Sequence, residues 1–284
     1  MKQKKRNINV AVISDVHLGT YGCHAEELVK YLKSIHPQKL ILNGDIIDIW
    51  QFNKNYWPKA HMQVIKQVCS LIARGTEVYY ITGNHDELLR KFSGFKIGGF
   101  EIVNKITLEL EGKRAWIFHG DVFDVTMQHS KWLTKLGSIG YDLLILLNKF
   151  TNNLSEKLGR GKFSFSKKIK DGVKIAVKYI NDFEETVAQI AIRNKFDYVI
   201  CGHIHQPEIR KIKMGESEVT YLNSGDWIEN LTALEYNHGE WSLYRYKSIE
   251  PETIPFSDQE VEMLSTEEIF KQLIMEFNFT PNTI

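Results

Sequence analysis

Five times along this chain an apolar run stops at a short segment built from Asp, Asn, His and Gly. The segments are Asp15-Val16-His17, Gly44-Asp45, Gly83-Asn84-His85-Asp86, His119-Gly120-Asp121 and Gly202-His203-Ile204-His205. The runs before them, such as Leu40 to Leu42 and Tyr198 to Cys201, read as buried strands cut short by turn residues. Polar side chains just past the ends of several strands converge on one edge of a sheet, where α/β folds carry their sites. That pattern restricts the chain to folds in which strands end side by side.

The stretches between the runs supply helices. His24 to Ile35 sets Leu28, Tyr31, Leu32 and Ile35 at helical spacing, and Pro37 is expected to end that helix. Pro58 begins a second helix, with Met62, Ile65, Cys69 and Ile72 on one face and Gly75 as its stop. Strand alternating with helix predicts a parallel sheet. Ile102 to Leu110, a turn at Glu111-Gly112-Lys113, and Ala115 to His119 predict that the sheet turns antiparallel there. Strand patterns return at Glu208–Met214, Val219–Leu222, Thr232–Tyr236 and Trp241–Tyr246. The block between is helical in pattern and lysine-rich. The expected organisation is a core of 1–125 and 196–250, a helical insertion or lid of 126–195, and a C-terminal extension of 251–284. That extension carries one helix, opened by a capping box from Ser265 to Glu268.

Composition excludes several classes. A net charge of +1 gives no general attraction to nucleic acid, and no nucleic-acid partner is expected. Cys23, Cys69 and Cys201 form no CxxC pair and no even set, which points to a reducing, cytoplasmic setting. The basic stretch Met1 to Arg6 is followed only by Ile8 to Ile13 before Ser14-Asp15, too short for an export signal. The longest apolar run, Leu143 to Leu147, falls far short of the ~20 residues of a membrane span.

Hydrolysis of a phosphate ester or anhydride needs a nucleophile at neutral pH and neutralisation of charge on phosphoryl oxygens. Two divalent ions roughly 3.5–4 Å apart supply both. Asp45 is the candidate to bridge them. Asp15, His17 and His205 would complete the first site; Asn84, His119 and His203 would complete the second. Mixed nitrogen and oxygen ligands suit manganese, iron or zinc better than calcium or magnesium; manganese is the expected metal, with iron, zinc or magnesium as alternatives. If Asn84 is a ligand, His85 points elsewhere, because successive side chains of an extended loop diverge. His85 is then expected to protonate the leaving oxygen or bind the phosphoryl group, with Asp86 orienting its ring. Asp121 and Asp226 are candidates to hydrogen-bond the ligating histidines.

The ordered set D-x-H, G-D, G-N-H-[DE], H, G-H-x-H resembles the calcineurin-like metallophosphoesterase superfamily, over about 190 of 284 residues. The resemblance implies a four-layer α-β-β-α sandwich with two mixed sheets, carrying an inserted helical cap, and a two-metal phosphoesterase centre. Ser14 to Gly19, Gly44 to Asp48, His119-Gly120-Asp121, the insertion and Gly225-Asp226-Trp227 look like its UDP-2,3-diacylglucosamine diphosphatase branch. That branch cleaves a UDP-lipid to lipid X and UMP at the inner face of the cytoplasmic membrane, in lipid A synthesis. Its insertion forms a lid over acyl chains. Here Trp132, Leu133, Leu136, Tyr141 and Leu143 to Leu147 would serve either lipid contact or helix packing. Arg160, Lys162, Lys167, Lys168, Lys170, Lys174 and Lys178 would meet phosphates or an anionic membrane surface, or form a solvated face. At one position the chain departs from the lipid A enzymes, which resemble G-N-R-D where this chain has His85. A phosphoesterase for a soluble nucleotide, diester or phosphoprotein is the second reading.

Overall fold

Neighbouring residues of β1 (Arg6–Ile13) enter two different cores: Ala11 and Ile13 face one, Val10 and Val12 the other. The same alternation of period two runs through β2 (Ile35–Asn43), where Leu40 and Leu42 lie on one side and Ile41 on the other. A strand apolar on both faces must be covered on both faces. The computed structural model, which describes residues 5–50, 56–123 and 180–247, shows how that is done.

β1, β2, β3 (Glu77–Ile81) and β5 (Phe100–Val103) run parallel in a seven-stranded sheet. Its order is β12-β11-β1-β2-β3-β5-β4, with the short β4 (Lys96–Ile97), β11 (Thr232–Asn237) and β12 (Glu240–Arg245) antiparallel to their neighbours. A five-stranded sheet follows the order β6-β7-β8-β10-β9. Its strands are β6 (Lys105–Leu110), β7 (Lys113–Phe118), β8 (Tyr198–Cys201), β9 (Glu208–Met214) and β10 (Ser217–Asn223). The sheets face each other across Val10, Val12, Ile41 and Ile81 on one side and Ala115, Ile117, Ile200 and Leu222 on the other. Outside the first sheet lie α1 (Ala25–Ser34) and α2 (Lys59–Ile72). Outside the second lies α3, a helix over 180–193, whose Phe183, Val187, Ala188 and Ala191 pack on Phe118, Val199, Cys201 and Tyr221. The layers are α-β-β-α, the sandwich expected from the family resemblance.

Several local expectations are corrected. Residues 180–193, assigned by pattern to the insertion, supply the helical layer over the second sheet. Residues 126–179 of the insertion, and the C-terminal extension, lie outside the described residues. Ile102 to Leu110 is not one strand: the chain breaks at Asn104 and passes from the first sheet to the second. The β6–β7 hairpin therefore belongs to a new sheet, closed by Glu111 and Gly112 with φ of 52° and 81°. Pro37 sits inside β2, where the helix has already given way at Ser34. In α2 the buried stripe is His61, Val64, Val68 and Leu71, while Met62 and Cys69 are exposed. That helix is apolar over much of its circumference, so spacing alone could not select the face.

Candidate metal centre

The five polar segments follow β1, β2, β3, β7 and β8, three strands of one sheet and two of the other. Backbone hydrogen bonds lace them together. Asp15 N–H donates to the Gly44 carbonyl at 3.1 Å, His17 N–H to that of Asp45 at 2.9 Å, and Gly202 N–H to that of His119 at 2.9 Å. One join between the sheets is the His203 N–H, which donates to Asp15 Oδ2 at 3.0 Å.

This convergence strains the backbone. Asp15, His17, Asp45, His203 and His205 adopt φ between 51° and 67°, a region L-residues other than glycine seldom occupy. Each such residue costs on the order of 1–3 kcal/mol, recovered from the surrounding packing. Two glycines are fixed by contact instead. A Cβ on Gly83 would stand 2.2 Å from Asp45 Oδ1, and one on Gly202 would stand 2.6 Å from Asp15 Oδ2.

Three groups of ligand-type atoms result among the described residues, one of them His17, Asp48 and His85. Those of Asp15, His17 and His205 lie within 4.8 Å of one another, as do those of Asp45, His119 and His203. The expectation from the sequence sets Asp15 and His17 with His205, and His119 and His203 with Asn84, with Asp45 shared between the two. Asp45 Oδ2 stands 3.2 Å from His119 Nε2, while its Oδ1 accepts the His85 N–H at 2.8 Å. The Asn84 side-chain oxygen is buried and has no hydrogen-bond partner among the described residues.

The ring geometry tests whether cations fit. His119 Nδ1 lies 2.8 Å from the Asn43 carbonyl, which can only accept, so Nδ1 carries the proton. The lone pair on Nε2 then faces the Asp45 carboxylate, two acceptors with a gap that a cation or a proton must fill. His17 repeats the arrangement: Nδ1 meets Asp48 Oδ2 at 3.2 Å, and the buried Nε2 has no hydrogen-bond partner among the described residues. The donor set fits divalent ions. Fixing one ring nitrogen with an outer hydrogen bond is how ligating histidines are oriented.

The model of the calcineurin-like phosphoesterases matches residues 8–207. The chain belongs to that family. A UDP-2,3-diacylglucosamine hydrolase of Aliivibrio fischeri is 26% identical over 251 residues, covering 84% of this chain and 98% of its own. One from Histophilus somni is 29% identical, covering 78% and 94%. Among solved structures, an archaeal phosphodiesterase aligns at a TM-score of 0.39 and 13% identity, covering 83% of this chain and 98% of that one. This calcineurin-like phosphoesterase is a hydrolase of phosphate esters whose candidate centre suits divalent metal ions.

Charge in this phosphoesterase centre is tightly balanced. Burial would raise the Asp15 carboxyl, but the His205 and His119 rings outweigh it and hold it below the usual range. Asp45 is likewise held down, by His119 and then His17 and His85. Burial would lower the His205 imidazole, yet Asp15 brings it up to about 9. In the absence of metal these pairs hold protons where cations would sit.

Three expected roles are corrected. Asp86 does not orient His85. Its carboxylate accepts from the Tyr80 hydroxyl at 2.6 Å, Gly83 N–H at 2.6 Å and Ile46 N–H at 3.0 Å, and so shapes the loop. The His85 ring is held by Asp48, whose Oδ2 lies 2.8 Å from Nδ1. Asp48 closes the Gly44 to Asp48 motif of the resemblance, but nothing in its spacing marks it as the partner of His85. Asp121 pairs with Arg90 rather than a histidine. Asp226 caps a turn, accepting the N–H groups of Ile228, Glu229 and Asn230, and stands 4.0 Å from His205 Nδ1, beyond hydrogen-bond reach. Arg160, Lys162 and Lys167 lie outside the described residues. Among the described residues, no helix is long and apolar enough to cross a membrane.

Proposed function

We propose that this phosphoesterase hydrolyses the pyrophosphate of a UDP-lipid, UDP-2,3-diacylglucosamine, to lipid X and UMP, using two divalent cations. The observation that carries the reading is the run of curated relatives named UDP-2,3-diacylglucosamine hydrolase, whose length this chain nearly spans. Asp15, His17, Asp45, Asn84, His119, His203 and His205 would hold the cations, with Asp45 shared. Bound there, the cations would acidify a water and neutralise the phosphoryl oxygens.

The protein's own part is orientation and proton delivery. His85 would give its proton to the leaving oxygen, and Asp48 would hold the ring in register and favour its charged form. That bias opposes burial: desolvation lowers the His85 pKa, while the Asp48 hydrogen bond and the charges of Asp45 and Asp48 raise it above its ordinary value. An imidazolium is the form a general acid needs. Manganese is the proposed metal, and the inner membrane surface, where the lipid substrate would be presented, the proposed place of action.

Purified protein with manganese and UDP-2,3-diacylglucosamine should release UMP. His85, where lipid A enzymes resemble G-N-R-D, favours the second reading, a soluble nucleotide or phosphodiester substrate. Turnover of soluble diesters without UMP release from the UDP-lipid would decide for it.

A further inference from the structure

The residues after Asp86 form a 3-10 turn, Glu87–Phe92, which carries Arg90 back to the loop it has just left. There Arg90 Nη2 donates to the Gly83 carbonyl at 3.3 Å and to the Asp121 carboxylate. Gly83 immediately precedes Asn84, and Asp121 lies two residues beyond His119. The two acceptors follow strands of different sheets, β3 and β7. Among the described residues no other hydrogen bond joins 83–86 to 119–121.

We propose that Arg90 is a positioning residue for the second cation, setting the distance between Asn84 and His119. This rests on the metallophosphoesterase reading and extends it to how the second site is assembled. The physical need is plain. Metal–ligand distances tolerate roughly ±0.2 Å, and these two ligands hang from loops of separate sheets. Each ligand has its own anchor: the His119 ring is tied to Asn43, and the loop bearing Asn84 is tied inward by Asp86. Both anchors reach the segment from Asn43 to Ile46, so they relate the two ligand segments only through a third, not by a direct bond. The Arg90 bridge joins them directly. A guanidinium suits the task because it is planar, permanently charged and able to meet two acceptors at once. The Asp121 side chain is 10% exposed and that of Arg90 35%, so the pair is partly shielded from solvent.

The test uses the full-length chain and Mn²⁺ alone. Metal-free Arg90→Gln, Arg90→Lys and Asp121→Asn are titrated with Mn²⁺ by calorimetry, with circular dichroism to check folding. Arg90→Gln should weaken the second binding step by about 10- to 100-fold, the usual effect of losing a group that orients a ligand, and leave the first step unchanged. Arg90→Lys should fall between, since it keeps the charge but carries it on a shorter, more flexible side chain in place of the rigid planar group. Asp121→Asn should weaken the same step, and the double variant should be no worse than Arg90→Gln. At saturating Mn²⁺ the turnover of Arg90→Gln on any hydrolysed ester should recover, with a raised half-activation concentration. Wild-type Mn²⁺ affinity in Arg90→Gln, or equal loss of both steps, overturns the proposal. If Arg90→Gln does not fold, the same outcomes in Arg90→Lys and Asp121→Asn decide. A wild-type chain that binds two Mn²⁺ yet cleaves no UDP-lipid defeats the substrate reading and leaves Arg90 to be judged on binding.

Discussion

Asp48 Oδ2 lies 2.8 Å from Nδ1 of His85, and the same oxygen lies 3.2 Å from Nδ1 of His17. One carboxylate oxygen thus orients the ring proposed to move a proton and a ring proposed to hold a cation. The His17 and His85 rings meet edge to face, 4.6 Å between centroids, so neither turns without the other. Replacing Asp48 by Asn should lower turnover by about 10²-fold or more, the scale of general acid–base catalysis. It should also shift the pH profile. Asp48 raises the His85 pKa, so its loss moves the alkaline fall in activity to lower pH. A rate–pH curve for Asp48→Asn that overlays the wild type would remove Asp48 from the proton path.

Asp86 predicts the opposite division. Its carboxylate satisfies the Tyr80 hydroxyl and two backbone N–H groups in a buried site. Asp86→Ala strands those donors at about 1–3 kcal/mol each. Urea unfolding should register a loss of several kcal/mol, with no displacement of the activity–pH curve in whatever protein remains folded.

Gly83→Ala is a test of close approach. Its Cβ would come within 2.2 Å of Asp45 Oδ1 and 2.7 Å of the Asp45 nitrogen, so carboxylate and backbone must both shift. Metal content after dialysis should fall below that of the wild type. The fold should survive, since the displaced atoms lie at strand ends. Full metal content would show that the site has more room than the coordinates allow.

Cation binding should expel protons. With no metal bound, His205 titrates at about 9, so its ring is charged at pH 7, and His119 is raised well above its ordinary value as Asp45 and Asp15 outweigh burial. A cation takes only neutral imidazole. Affinity should therefore rise as pH increases toward 9. Calorimetry at pH 7 in buffers of different ionisation enthalpy should show at least one proton released per chain. No buffer dependence would mean that these rings are not ligands.

Much of this phosphoesterase was legible before any coordinates. Asp15, Asp45, His119 and His203 stand out as candidate ligands because each lies just past an apolar run and the pattern recurs five times. Strand placement was legible too, since doubly buried strands are written as unbroken apolar runs. Local pattern could not reveal that Ile102 to Leu110 serves two sheets, or that 180–193 covers the second, because a strand's period is the same in either sheet and a helix's pattern does not name the face it will cover. The roles of Asp48, Asp86, Asp121 and Arg90 turned on which carboxylate the folded loops bring to which donor. Arg90 and Asp121, 31 residues apart in sequence, meet only once two sheets have packed, and His85 and Asp48, 37 apart, only once β2 and β3 have paired. Sequence determined which atoms are available for chemistry; tertiary structure decided which of them touch, because hydrogen bonds act over about 3 Å and chain order carries no record of that distance.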